Sequence, residues 1–137
     1  MLEYTHALSA EEYCELRAAV QWQSIVKEQV QSGLEHSDYI VACRDGGKII
    51  GCARIFWDKG YIAYLADVMV KPEYQGQGIG KKLVESCISY IHRQLHEGWR
   101  IKIVIVSAKG KEAFYEKFGF QIRPNENDGA GMQMWCR

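Results

Sequence analysis

The chain has only two prolines, Pro72 and Pro124, and no stretch dominated by serine, glycine or charge of one sign. Without such segments there is no linker to divide it, and no internal repeat suggests a solenoid. Its 137 residues are therefore expected to form a single domain, residues 1–137, with one core that removes roughly two-thirds of the unfolded surface from water. Net charge is lacking too. Seventeen Lys plus Arg balance seventeen Asp plus Glu, so no long-range field draws the chain to nucleic acid or to an anionic membrane. No run approaches the ~18 apolar residues of a membrane span, and residues 1–6 show no basic segment leading into an apolar one. The five cysteines, Cys14, Cys43, Cys52, Cys87 and Cys136, include no C-x-x-C pair. That spacing argues against zinc or dithiol chemistry and for small apolar side chains in a reducing compartment. The expectation is a cytoplasmic protein without metal, membrane or nucleic-acid partner.

What is present alternates between two periodicities. Leu2 to Leu8 reads as a strand, and Ser9 with Glu12 forms an S-x-x-E capping box that starts a helix. A second helix is expected from Gln23 to Ser32, stopping at Gly33. Three strands follow, Tyr39 to Arg44, Lys48 to Trp57 and Tyr61 to Val70, joined by Asp-Gly-Gly and Asp-Lys-Gly turns that favour antiparallel hairpins. Apolar residues at Leu83, Val84, Cys87, Ile88, Ile91 and Leu95 then recur at the helical period, up to Gly98. Ile101 to Val106 is a β-branched run typical of a buried strand, Lys111 to Phe118 a short helix, and Phe120 to Arg123 and Met132 to Cys136 two final strands. The fold class is α/β with a mixed sheet, because the strand, helix, strand step from Leu65 to Val106 makes a parallel crossover.

The segment Val68-Met69-Val70-Lys71-Pro72-Glu73-Tyr74-Gln75-Gly76-Gln77-Gly78-Ile79-Gly80-Lys81 carries the most chemistry. A strand ends, glycines follow and a helix begins, so the free N–H groups and dipole of the first helical turn favour an anion that the glycines let approach. Glycines of this kind also serve as plain loop punctuation. No G-x-x-x-x-G-K-[ST] string occurs, and the alternation of Gly76, Gly78 and Gly80 does not give a G-x-G-x-x-G turn.

These residues resemble the acetyl-CoA motif of the GNAT acetyltransferases, Q/R-x-x-G-x-G/A, met here by Gln75, Gly78 and Gly80. A second string, Ala113-Phe114-Tyr115-Glu116-Lys117-Phe118-Gly119-Phe120, resembles the closing helix and strand of that family and lies about 35 residues further on. The resemblance covers Tyr61 to Phe120, and the first 60 residues only by the order of their elements. It implies a mostly antiparallel sheet with a splayed parallel strand pair flanked by helices. It also implies acetyl-CoA as donor, its arm bonded to the backbone of Val68, Met69 and Val70 and its pyrophosphate held by Gln75, Gly76, Gln77, Gly78, Ile79, Gly80 and Lys81.

The implied reaction is attack of a neutral amine on a thioester, which needs an oxyanion contact, a proton acceptor and a proton donor for the leaving thiolate. Tyr115 matches the tyrosine of the family and is the candidate donor; the alternative is an aromatic packed among Phe114, Phe118 and Phe120. Asp67, in the strand leading to the motif, shares a face with Leu65 and Met69 on simple alternation. Three roles stand open for it: base, anchor for a cationic acceptor, or structural partner of an Arg or Lys. Lys81 and Lys82 read equally as phosphate contacts or a solvated helix start. Trp22 and Gln21 read as pocket lining or core.

Ala108 departs from the family, which often has asparagine there to contact the pantetheine arm. His92 and His96, four residues apart near a polar helix end, read as exposed rather than metal-binding. The expected acceptor is an amine of a small molecule or peptide, and the expected assembly a monomer or homodimer. Two competing readings remain: a CoA-binding module without turnover, and a binder of some other phosphate ligand.

Overall fold

The computed structural model describes all 137 residues. Strands β1 (Leu2–Thr5), β2 (Tyr39–Asp45), β3 (Lys48–Trp57), β4 (Ile62–Val70) and β5 (Lys102–Ile105) form one sheet in sequence order. The first four pair antiparallel, whereas β5 runs parallel to β4, as expected of a strand reached through a helix. Helices α1 (Ala10–Ala19) and α2 (Lys27–Glu35) precede β2, and α3 (Ile79–Gln94) and α4 (Glu112–Glu116) flank β5 in sequence. A single 3₁₀ turn at Pro72–Tyr74 joins β4 to the start of α3. No helix is long and apolar enough to cross a membrane.

Two compact units result, Met1–Val104 and Ile105–Arg137. In the first, both faces of the sheet are covered, which is why Val41, Ala42 and Cys43 are buried in succession and Ile49, Ile50, Cys52 and Ala53 follow suit. Tyr13 and Leu16 of α1 and Val30 and Leu34 of α2 pack with Ala42, Cys52 and Met69 on one face. Ile79, Leu83, Val84, Cys87 and Ile91 of α3 cover the other, so the predicted helical stripe forms as read up to Ile91. Leu95 instead ends the helix and is exposed. Gly51 sits between these layers. A Cβ there would meet the Met69 carbonyl oxygen at 2.9 Å and Leu83 Cδ1 at 3.3 Å, so the end of β4 packs this closely only against a glycine.

The capping box forms as read: Ser9 Oγ accepts from the Glu12 N–H, and Glu12 Oε1 accepts from the Ser9 N–H. The second helix differs from expectation. It starts at Lys27 and runs past Gly33 to Glu35. Gly33 is a clearance residue rather than a stop, because a Cβ there would meet Arg54 Nη1 at 3.3 Å.

β4 also departs from simple alternation. Cys52 pairs with Met69 and Arg54 with Ala66, so Asp67 and Val68 together oppose one residue of β3. This β-bulge places Asp67 at φ +55°, a left-handed conformation that Asp tolerates better than most residues. Asp67 consequently joins the face of Met69 and Arg54, while Leu65, opposite Ile55, belongs to the other. The face shared by Leu65 and Asp67 in a regular strand is lost to the extra residue.

In the second unit, Tyr115 of α4 is buried, with Phe114 at 4.9 Å and Phe120 at 6.0 Å between ring centroids, both edge-on. The strands expected at 120–123 and 132–136 do not form. A short apolar run becomes a strand only where a neighbour takes its N–H and C=O groups. Local bonds prevail here: Arg123 Nε donates to the Gly129 carbonyl, and Asn125 Oδ1 accepts from the N–H groups of Asn127 and Asp128.

Candidate active site

The expected phosphate loop begins where β4 ends. Lys71 N–H bonds the Ile50 carbonyl at 2.8 Å, fixing the exit of the strand against β3. Gln75 Nε2 donates to the Val70 carbonyl at 2.9 Å and ties the loop back to the strand. Tyr74 Oη donates to Asp45 Oδ2 at 2.7 Å, which anchors the 3₁₀ turn to the β2–β3 hairpin and raises the Tyr74 pKa.

Gly76 and Gly78 follow with φ of +80° and +83°, and no atom lies within 4 Å of where either Cβ would be. The turn is therefore both conformationally reserved for glycine and open to a ligand. Gly78 caps α3 without any side-chain hydrogen bond, and the first turn holds no acidic residue. By helix geometry the N–H groups of Ile79, Gly80 and Lys81 point out of that end without intrahelical acceptors. Ile79 contributes backbone only, its side chain being buried, while Gln77 and Lys81 are exposed. Nothing in the cradle opposes a phosphate, so the donor set fits a pyrophosphate-bearing ligand.

Upstream in the same unit, the bulge projects Asp67 into a polar cluster at the edge of the α1/α2 layer. Asp67 Oδ2 accepts from Tyr13 Oη at 2.9 Å and Arg54 Nε at 2.6 Å, and Oδ1 lies 3.9 Å from Arg17 Nη1. Arg17 Nη1 also donates to Tyr13 Oη at 3.1 Å, and Arg54 Nη1 to Ser37 Oγ at 3.1 Å. Burial and then the neighbouring Asp67 carboxylate push the Tyr13 hydroxyl up from its ordinary range, and the same two causes raise Tyr64. Trp22 stacks under Arg17, its ring 5.6 Å from the guanidinium carbon, and packs on the core.

Sequence reasoning found Asp67 but not Arg54, Tyr13 or Arg17. The available signal is Arg54 itself, the one charged residue inside the run from Ile49 to Trp57. His92 and His96 are exposed, and no group of three or more His, Cys, Asp or Glu side chains gathers to hold a metal. Ala108 is exposed, its carbonyl accepting from Ser107 Oγ and the Lys111 N–H.

A mixed sheet of this order, with a glycine turn leading from the bulged strand β4 into a helix, is the scaffold of an acyltransferase. The acetyltransferase (GNAT) domain model matches residues 35–122, and the chain belongs to that family. Among curated relatives, the uncharacterized N-acetyltransferase ycf52 of Porphyra purpurea is 28% identical over 98% of this chain and 75% of its own length. The chloroplastic GCN5-related N-acetyltransferase 2 of Arabidopsis thaliana is 37% identical over 56% of this chain and 28% of its own. A solved Staphylococcus aureus protein of unknown function, described as a "probable acetyltransferase", has a TM-score of 0.88 at 28% identity, covering 99% of this chain and 100% of that one.

Proposed function

We propose that the chain transfers an acetyl group from acetyl-CoA to a primary amine of a small molecule or peptide. The observation that carries this reading is the uncapped, open glycine turn that continues from the bulged end of β4 into α3. The N–H groups from Gly76 to Lys81, with Gln75 and Gln77 beside them, hold the pyrophosphate, and the backbone of Val68, Met69 and Val70 orients the arm. Bound there, acetyl-CoA supplies the acyl group as a thioester.

Asp67 Oδ1, the oxygen that neither Tyr13 nor Arg54 engages, holds the acceptor nitrogen and receives its proton. Tyr115 Oη, on the second unit, holds the proton that the sulfur takes up as the new amide forms. General acids and bases of this kind typically contribute about 10² to 10⁴ in rate each. The five free cysteines, three of them buried, suit a reducing cytoplasm.

The reading is tested by thiol release from acetyl-CoA across a panel of amines, with Tyr115→Phe beside the wild type and CoA binding by calorimetry. Turnover that falls about 10²-fold or more in Tyr115→Phe, with CoA affinity kept, supports the donor. Equal turnover in the two proteins removes Tyr115 from the mechanism, and absence of CoA binding overturns the assignment of the loop.

A further inference from the structure

We propose that Arg17 and Arg54 form an oxyanion clamp beside Asp67, so that the amine acetylated by this protein carries a carboxylate or a phosphate. The proposal rests on the acyl-transfer reading above and adds the substrate class to it.

Two guanidinium groups converge on one carboxylate, with side chains of Arg17, Arg54 and Asp67 only 13%, 14% and 13% exposed. Tyr13 and Arg54 alone supply Asp67 Oδ2 with two hydrogen bonds, so the bulge is held without Arg17. Arg17 leaves the cluster with a surplus positive charge in a partly desolvated place, where an unmatched cation is costly unless an anion joins it.

The donor inventory agrees. Arg17 spends Nε on the Gln23 carbonyl and Nη1 on Tyr13, and Arg54 spends Nε on Asp67 and Nη1 on Ser37. Nη2 of each takes no protein acceptor, and neither is a buried unsatisfied atom, so both edges reach solvent. Their flat faces are occupied by rings instead. Tyr13 lies 5.8 Å from the Arg17 guanidinium carbon and 5.4 Å from that of Arg54, and Phe56 lies 4.7 Å from the latter. A guanidinium stacked by its faces and pinned by two nitrogens presents a fixed edge, the arrangement suited to carboxylate or phosphate oxygens. Helix α2 carries Gly33 in its last turn, where Arg54 passes.

Asp67 is the residue before Val68–Val70, so the clamp adjoins the strand end assigned to the donor. An acceptor with its nitrogen at Asp67 Oδ1 would have its oxyanion beside Arg17 and Arg54.

The test follows the arginine side-chain Nε–H signals by ¹⁵N NMR in the full chain saturated with CoA. Four probes are titrated at matched ionic strength: L-alanine and its amide, phosphoethanolamine and ethanolamine. The clamp predicts that alanine, phosphoethanolamine or both shift the Arg17 and Arg54 signals, while the amide and ethanolamine do not. In Arg17→Gln, which leaves Asp67 bonded to Arg54 and Tyr13, the affinity of the responding probe falls about 10- to 100-fold. In the thiol-release assay the same loss enters through KM for the charged acceptor.

A carboxylate-only or phosphate-only response identifies which oxyanion is recognised. Equal response to charged and neutral probes, or no response to any, overturns the clamp even if CoA binds and turnover proceeds. Loss of CoA binding would instead defeat the acyl-transfer reading, and the same four titrations of the chain without CoA would then decide the clamp by the same shifts.

Discussion

Replacing Asp67 by Asn, Gly and Ala separates three contributions that the bulge combines. The wild-type carboxylate accepts from Tyr13 Oη and Arg54 Nε and sits near Arg17 at a site only 13% exposed. Hydrogen bonds to charged groups contribute about 1.5–3 kcal/mol each. Asn keeps an oxygen in place and tolerates positive φ, so Asp67→Asn loses the charge but not the acceptor, a cost of about 2 kcal/mol.

Ala removes the acceptor altogether. It leaves Tyr13 and Arg54 without their partner and must still adopt φ +55°, which adds about 1–2 kcal/mol for a residue without a short polar side chain. We expect about 4–8 kcal/mol in total for Asp67→Ala. Gly loses the same bonds but adopts positive φ freely. It gives back part of that gain through the greater freedom of the unfolded chain, about 0.5–1 kcal/mol.

The expected order of stability is Asp, Asn, Gly, Ala, read by urea unfolding at neutral pH. Ala more stable than Gly would refute the left-handed bulge, and Asn equal to Asp would show that the ion pairs contribute nothing. The activity of Asp67→Asn gives a second axis. With CoA affinity unchanged, thiol release should fall by the 10²-fold or so expected when a proton acceptor is lost, and undiminished turnover would confine Asp67 to holding the bulge.

Two further changes probe the frame around the site. Gly51→Ala places a methyl group 2.9 Å from the Met69 carbonyl oxygen, and overpacking of this kind costs about 1–3 kcal/mol. Because the displaced group is the strand end assigned to the donor, CoA affinity should fall along with stability. Gly46→Ala is the control: at φ +57° with nothing within 4 Å it strains a turn without crowding it, and CoA affinity should not move. The pH dependence of thermal unfolding tests Glu12. Its carboxyl is held below the usual carboxylate range, first by the Arg44 hydrogen bond and also by the Ser9 N–H. A depressed pKa contributes stability above the unfolded value, near 4.3, and loses it as pH falls through the folded value. Glu12→Gln should therefore flatten the acid side of the stability curve, and parallel wild-type and variant curves there would refute the linkage.

The parts of the molecule legible in the sequence were those written in local chemistry. Ser9 and Glu12 cap α1 because both partners of the box lie within four residues, and Lys48–Trp57 forms the strand its composition announces. The glycine turn is readable because its glycines cluster between a strand end and an apolar helical stripe, and two of them, Gly76 and Gly78, take positive φ. Gly33 was misread because its reason lies in Arg54, 21 positions away. The strands expected at 120–123 and 132–136 failed for a related reason, since a ladder depends on a neighbour that no short string encodes.

Asp67 shows the two levels meeting. Its residue type marked it for attention, but its face is set by a one-residue mismatch between β3 and β4. Without that extra residue, Asp67 would point with Leu65 toward the α3 layer and find no arginine. With it, one carboxylate gathers Tyr13 and Arg54 and draws in Arg17, from α1, β3 and β4, just ahead of the strand end that leads to the glycine turn. The bulge is thus the physical link between the two halves of the proposed reaction. It fixes the acceptor-side charges on one face and ends the strand where the phosphate cradle begins, so a change that straightens β4 should impair both acceptor recognition and CoA binding together.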